Sequence, residues 1–374
     1  MLNQTSNLLS AVQLCRRVLK TRTTLPILGF LRLEAKTNPD GAAVLSIRAT
    51  DLGRHVERTV DFYGEPFGPV CVPAKDLEVA LNQMGKNVTL AVRSGSLLLS
   101  GDAKAKLPTV AADEFPELPA AGTLHGCDAR ELSDVIREVY WAADTNEALA
   151  DETLVCAVKM TARKILAEAG RRYLVARSEK LSIAADATFS FPAKDAPEVA
   201  AALLEEDAQI RVSEDWVSVH AKAGQLWVNR TTTRRAFKDF VFETPADAVA
   251  EINKEQVGEL RAMLSAVNQL AEKSEFAAVT FASDSQAGTV SVSYRGAHTS
   301  IEREIGPVSV SRNVNLLLSA DGFSEVMQKV TAEKASLSVV KMPNGNEAIQ
   351  VRSGDRVAVM ATRVAPQEVK PENE

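Results

Sequence analysis

Gln13, Arg16, Arg17 and Lys20 stand at i, i+3, i+4 and i+7, and Arg22 follows directly behind them. On a helix this spacing gathers the four into one polar stripe, opposite Leu8, Leu9, Val12, Cys15, Val18 and Leu19. Residues 7–20 carry Arg16, Arg17 and Lys20 and no acidic side chain. Such a stripe offers contact with phosphates, which needs positive charge and no base readout. A merely solvated helix face is the competing explanation. Weaker versions recur further on: Arg130 and Arg137 lie two turns apart with Asp134 between them, and Lys254 and Arg261 repeat the spacing. The expected helices taken together carry no positive excess, so charge alone does not decide for nucleic acid.

Catalytic chemistry is harder to find. The sequence has no phosphate-binding Gly-x-x-x-x-Gly-Lys-Ser/Thr loop, no Gly-x-Gly-x-x-Gly, no His-Glu-x-x-His and no Gly-x-Ser-x-Gly. His55, His125, His220 and His298 stand alone, without the spacing of metal ligands. Acidic pairs such as Asp113-Glu114 and Glu205-Glu206 fit solvated loops and helix ends. The expectation is no catalytic residue, no cofactor and no metal. An enzyme assembled from dispersed residues remains the alternative from another functional class.

Stepping from side chains to the frame, 374 residues with 45% apolar and 25% charged side chains make a globular chain. At ~100–200 residues per domain it holds two or three. No apolar run reaches the ~20 residues of a membrane-spanning helix, and the start Met1-Leu2-Asn3-Gln4-Thr5 lacks the pattern of an export signal. Cys15, Cys71, Cys127 and Cys156 lie far apart, as in a reduced compartment. A cytoplasmic protein without membrane contact is expected. The net charge of −6 argues against a surface coated all over with nucleic acid and leaves room for a local basic face.

A threefold repeat organises the chain. Pro73-Ala74-Lys75-Asp76 returns as Pro192-Ala193-Lys194-Asp195 and, more weakly, as Ser319-Ala320-Asp321-Gly322. Each precedes an amphipathic stretch. Leu8-Leu9-Ser10-Ala11-Val12 likewise matches Glu131-Leu132-Ser133-Asp134-Val135 and Gln256-Val257-Gly258-Glu259-Leu260. The offsets cluster near a third of the chain, about 125 residues. Within each third a helix (7–20, 129–143 and 254–272) precedes short alternating strands, then a second helix and more strands. The fold class expected is α+β: three repeated domains, 1–121, 122–247 and 248–364, each with two helices against mostly antiparallel sheet. Residues 365–374, with two prolines and three glutamates, read as a disordered acidic tail.

Certain segments are also recognisable. Arg22-Thr23-Thr24-Leu25-Pro26-Ile27-Leu28-Gly29, Ala49-Thr50-Asp51-Leu52, Val72-Pro73-Ala74-Lys75 and Ala111-Ala112-Asp113-Glu114-Phe115-Pro116 resemble the first domain of the bacterial replicative sliding clamps, the DNA polymerase III beta subunit family. Val359-Met360-Ala361-Thr362-Arg363-Val364 resembles the segment with which that family usually finishes. The resemblance implies a DNA-clamp fold and a head-to-tail homodimer, a ring that encircles duplex DNA without regard to sequence and confers processivity in DNA replication. It implies that DNA polymerase, clamp loader and repair proteins dock through short peptides. Arg22 matches the family's DNA-contacting arginine and Lys194 its lysine before the second-domain helix. With the helix cations this gives Arg16, Arg17, Lys20, Arg22, Arg137 and Lys194 as DNA-binding residues. By family position the subunit interface includes Lys104 and Leu107, facing Leu270.

The peptide groove is where the sequence departs. The family's Thr-Asp-Gly-His-Arg-Leu is here Glu168-Ala169-Gly170-Arg171-Arg172-Tyr173, and Phe-Pro-Asp-Tyr is Phe237-Lys238-Asp239-Phe240. Of the first motif only the Gly and the Arg survive, and Phe242 stands near a usual arginine. By family position the groove residues are Gly170, Arg172, Tyr173, Phe242, Phe276, Ile349, Val359, Met360 and Arg363. A clamp-like paralogue of plasmid or phage type, with altered partners, is the second alternative.

Overall fold

A computed structural model describes residues 3–19, 24–37, 42–143, 154–161, 163–171, 174–181, 186–231, 242, 244, 246–271, 277–296, 298–342 and 345–362. The first third runs β1 (Asn3–Gln4), α1 (Thr5–Arg16), β2 (Phe30–Thr37), β3 (Ala43–Thr50), β4 (Arg54–Asp61) and β5 (Phe67–Pro73). It continues through α2 (Ala74–Leu81), β6 (Asn87–Arg93), β7 (Ser96–Ser100), β8 (Lys104–Pro108) and the short β9 (Val110–Ala111).

The middle third repeats the order. It holds β10 (Thr123–His125), α3 (Ala129–Val139), β11 (Leu154–Thr161), β12 (Lys164–Arg171), β13 (Leu174–Leu181) and β14 (Ala187–Phe191). Then come α4 (Ala196–Ala202), β15 (Gln209–Val212), β16 (Trp216–Ala221) and β17 (Gly224–Asn229). The last third has β18 (Ala246–Asn253), α5 (Lys254–Leu270), β19 (Ala278–Asp284), β20 (Thr289–Arg295) and β21 (Ser300–Ile305). It closes with β22 (Ser309–Val310), β23 (Val314–Ser319), α6 (Ala320–Gln328), β24 (Lys334–Lys341), β25 (Glu347–Ser353) and β26 (Arg356–Ala361). Among the described residues each third shows the two expected helices together with antiparallel strands, the α+β repeat that the sequence predicts.

Local chemistry explains the helix starts. Asn253 caps α5 by accepting from the Gln256 backbone while the Gln256 side chain accepts from the Asn253 N–H, so each satisfies a group the helix leaves open. Ser319 caps α6, and the repeated Asp after Pro-Ala-Lys places a negative charge in the first turn of α2. The ends differ from expectation. α1 stops at Arg16, four residues early, although Val18 is buried and extends the apolar rhythm. The periodicity reports burial, and here burial continues into a turn.

The chain divides into two compact units, residues 1–133 with 197–231, and residues 134–196 with 232–374. The middle third contributes to both. The first unit contains a sheet of order β1-β6-β7-β8 and one of order β10-β15-β16-β17-β4-β3-β2-β5-β9. The second contains β14-β11-β12-β13-β26-β25-β24-β18-β22 and β21-β20-β19-β23. Each nine-stranded sheet joins two thirds of the chain edge to edge, through β17 on β4 in one unit and β13 on β26 in the other, both antiparallel. In the first unit α1 buries Leu8, Ala11, Val12 and Cys15, and α2 buries Leu77 and Leu81. In the second, α5 buries Val257, Leu260, Met263, Leu264 and Val267, and α6 buries Phe323, Val326 and Met327.

Candidate nucleic-acid interface and docking face

Several of the nominated cations have partners on neighbouring elements, and several are exposed. Arg16 is paired with Glu78 of α2, whose carboxylate also accepts from the Gln13 amide at 3.1 Å. Two members of the predicted stripe, Gln13 and Arg16, are therefore engaged in holding α1 to α2. Arg17 is exposed and makes no ion pair among the described residues. Lys20 and Arg22 lie outside the described residues. In the second unit Arg137 is exposed on α3, and Lys194 is exposed in the short turn before α4.

The helix α5 departs further from expectation. Arg261 donates through Nε to the Met327 carbonyl at 2.9 Å and through Nη2 to the Val330 carbonyl, closing the C-terminal end of α6. A cation there satisfies carbonyls that have no partner within the helix and favours the negative end of its dipole. Lys254 pairs with Glu333 at 3.0 Å. The repeated Lys254/Arg261 spacing thus serves the fold.

Of the groove residues, Gly170, Phe242, Ile349, Val359 and Met360 are described; Arg172, Tyr173, Phe276 and Arg363 lie outside the described residues. Gly170, Val175, Val359 and Gln350 form one row across β12, β13, β26 and β25. Gly170 has a steric reason to be glycine, since a Cβ would come within 2.7 Å of the Leu174 carbonyl oxygen. Phe242 packs on Ala348, Val357 and Val359 on this face of the sheet. Ile349 pairs with Met360, one position out of step, which sends both side chains to the opposite face. There Met360 lies against Gly322 of α6. The nominated residues therefore form two clusters, one on each face of the sheet.

The feature that sequence reading missed lies on the Phe242 face. Arg177 and Glu168, opposite each other on β13 and β12, form an ion pair at 2.6 Å with side chains only 5% and 0% exposed. The Arg177 guanidinium also stacks on the Phe242 ring, 4.0 Å from its centroid. The signal was present as opposite charges placed symmetrically about the hairpin turn.

At the sheet edges, Lys104 and Lys106 of β8 are exposed and alternate with the half-buried Ala105 and Leu107. On β21, Glu302 and Glu304 are exposed, while Arg303 turns to Glu259 of α5 at 2.6 Å. Leu270, the last residue of α5, is 43% exposed.

No titrating group is poised for catalysis among those with a resolved shift. Burial pushes the thiols of Cys15 and Cys156 up to about 12, and those of Cys71 and Cys127 up to about 11. Burial holds the imidazoles of His55, His125 and His220 below their ordinary value. Among the described residues no cluster of His, Cys, Asp and Glu suits a metal ion, and no helix is long and apolar enough to cross a membrane.

A chain built as three strand–helix–sheet repeats, joined edge to edge, has the fold of the sliding clamps. A clamp from Pseudomonas aeruginosa superposes with a TM-score of 0.84 at 18% identity, over 97% of this chain and 99% of that one. The DNA polymerase III beta subunit from Thermotoga maritima gives 0.81 at 16%, over 97% and 98%. That of Streptococcus pyogenes gives 0.84 at 14%, over 97% and 99%. No curated protein sequence matches. More particularly, residues 2–119 match the family described as DNA polymerase III beta subunit, N-terminal domain. The resemblance read from the sequence agrees with these likenesses, as that of a diverged relative.

Proposed function

We propose that this protein is a DNA sliding clamp: a head-to-tail homodimer that closes around duplex DNA and tethers a replicative polymerase and other partners. One observation carries the reading. In both nine-stranded sheets, the third strand after the first helix of one third pairs with the last strand of the next third. Setting aside the two-residue β9, which pairs with β5, the same rule applied to the last third and the first matches β21 with β8. These are the terminal strands of the two four-stranded sheets. A second copy supplies the missing partner for each, and two such contacts close a ring. Pairing also covers strand edges that otherwise invite aggregation.

The charges suit this match. Lys104 and Lys106 project from one face of β8, and Glu302 and Glu304 from one face of β21. Edges of like kind would set lysine against lysine or glutamate against glutamate. Leu107 and Leu270 supply apolar contact beside them. The three domains are 1–121, 122–247 and 248–364. A ring retains DNA by enclosure, so phosphate contacts from Arg17, Arg22, Lys20, Arg137 and Lys194 need only be few and weak. A mildly acidic, cytoplasmic protein without cofactor or catalytic residue suffices for this task.

The test is the mass in solution. Sedimentation at micromolar concentration should give about 80 kDa, twice the 40.3 kDa chain. Lys104→Glu with Lys106→Glu should give monomer, as should Glu302→Lys with Glu304→Lys. Mixed, the two variants offer each other complementary edges and should return to the dimer mass. Monomer in the unaltered protein would refute the ring.

A further inference from the structure

We infer that the cavity on the Phe242 face of the second unit takes an acidic peptide, two carboxylate clusters flanking an apolar residue. The inference rests on the clamp reading, which supplies partners that dock by peptides, and adds the charge they must carry.

The cavity holds about 300 Å³ and is lined by Lys159, Lys164, Arg177, Glu179, Phe242 and Arg352, with Leu166 and Val357 as further apolar floor. Two of its cations are spoken for. Arg177 is paired with Glu168, and Lys164 with Glu179 at 2.5 Å. Lys159 and Arg352 are exposed and make no ion pair among the described residues. They stand on β11 and β25, with β12, β13 and β26 between them. Four strand spacings at ~4.8 Å separate their backbones by ~19 Å, the length of roughly six extended residues.

Between them lie the apolar Leu166, Phe242 and Val357, beside the paired Arg177 and Glu179. Phe242 is seated on Val357 and Val359, with Arg177 over its ring. An apolar side chain can settle there while carboxylates on either side reach Lys159 and Arg352. The arrangement suits nucleic acid less well. A phosphate chain needs a continuous row of cations, whereas Glu179 stands among these, and the guanidinium already occupies the Phe242 ring as a stacking surface.

Fluorescence anisotropy on the full chain tests this with two labelled peptides, Glu-Asp-Ser-Leu-Ser-Asp-Glu and its neutral counterpart Gln-Asn-Ser-Leu-Ser-Asn-Gln. At low salt the acidic peptide should bind about tenfold tighter, the effect of two partly exposed ion pairs. High salt should remove the preference. Lys159→Glu with Arg352→Glu should abolish it, leaving the solution mass unchanged. Equal affinities, a preference that survives the double substitution, or displacement of the acidic peptide by a short thymidine oligonucleotide would each overturn the assignment. Loss of the dimer mass in the unaltered protein would instead strike the clamp reading itself.

Discussion

The two nine-stranded sheets use one backbone junction and fill it in opposite ways. In the first unit Glu57 of β4 sits between Arg48 of β3 and Gln225 of β17. In the second, Arg177 of β13 sits between Glu168 of β12 and Val357 of β26. Both central residues lie one row from where the joining strand leaves its hairpin. The sign of the pair is reversed, and so is its burial. Arg48 and Glu57 are 18% and 13% exposed, and Ser46 donates to the same carboxylate at 2.6 Å. Arg177 and Glu168 are almost wholly enclosed. Around Glu57 the face is packed by His55, Trp216, Trp227 and His220, with ring centroids 4.9 and 5.3 Å apart in the two pairs. Around Arg177, among the described residues, Phe242 is the aromatic ring in contact, beside a cavity lined by Lys159, Lys164 and Arg352. The backbone junction is thus independent of the side chains above it: one copy of the repeat covers this face with aromatic rings, and the other leaves a cavity there.

The largest predicted effect breaks the second junction. Arg177→Ala strands a fully buried carboxylate and should cost about 3–5 kcal/mol of stability. Arg48→Ala leaves Glu57 near solvent with its serine partner and should cost about 1 kcal/mol. Chemical denaturation of the two variants checks the difference; equal losses would mean that burial does not distinguish the junctions.

A second pair of substitutions separates cations that hold the fold from cations free to meet DNA. Arg261→Ala removes the donors at the end of α6 and should cost about 1–3 kcal/mol, without altering the salt dependence of DNA binding. Arg17→Ala should leave stability unchanged and flatten the log–log salt slope by ~0.9 if its one phosphate contact is lost. Titrations at several salt concentrations, beside the melts, decide this.

The smallest effect is on pH. Burial keeps His55 and His220 below 6.5, and a nearby Arg211 lowers His220 further. The unfolded chain therefore binds protons first as pH falls. Stability of the first unit should be constant above pH 6.5 and decline below it. Trp216 and Trp227 belong to that unit and Trp141 to the other, so tryptophan fluorescence melts of a Trp141→Phe background from neutral to mildly acidic pH follow it. His55→Asn with His220→Asn should flatten the decline; an unchanged slope would place the acid sensitivity elsewhere.

Much of this architecture was legible in the sequence because a repeat is a long-range signal. Pro73-Ala74-Lys75-Asp76 and its echoes mark where the second helix of each third begins, whatever packs around it. The helix ends were less legible, since Val18 keeps the apolar rhythm beyond the last hydrogen-bonded turn of α1. The partners of the charged stripe were hidden for a different reason. A helical projection contains Arg16 and Arg261 but not Glu78 of a distant helix or the open carbonyls of α6. The same blindness hid the Arg177–Glu168 pair, whose meaning depends on burial beneath Phe242. The ladder that matches β21 to β8 required knowing which strands had already found partners.

The most direct measurement is retention on circular against linear DNA. Protein dissociated by dilution and allowed to reassociate with a nicked circular duplex should stay with the DNA through gel filtration at moderate salt. A single restriction cut should release it, because a closed ring slides off an end. Equal retention before and after the cut would contradict enclosure and leave ordinary surface binding in its place.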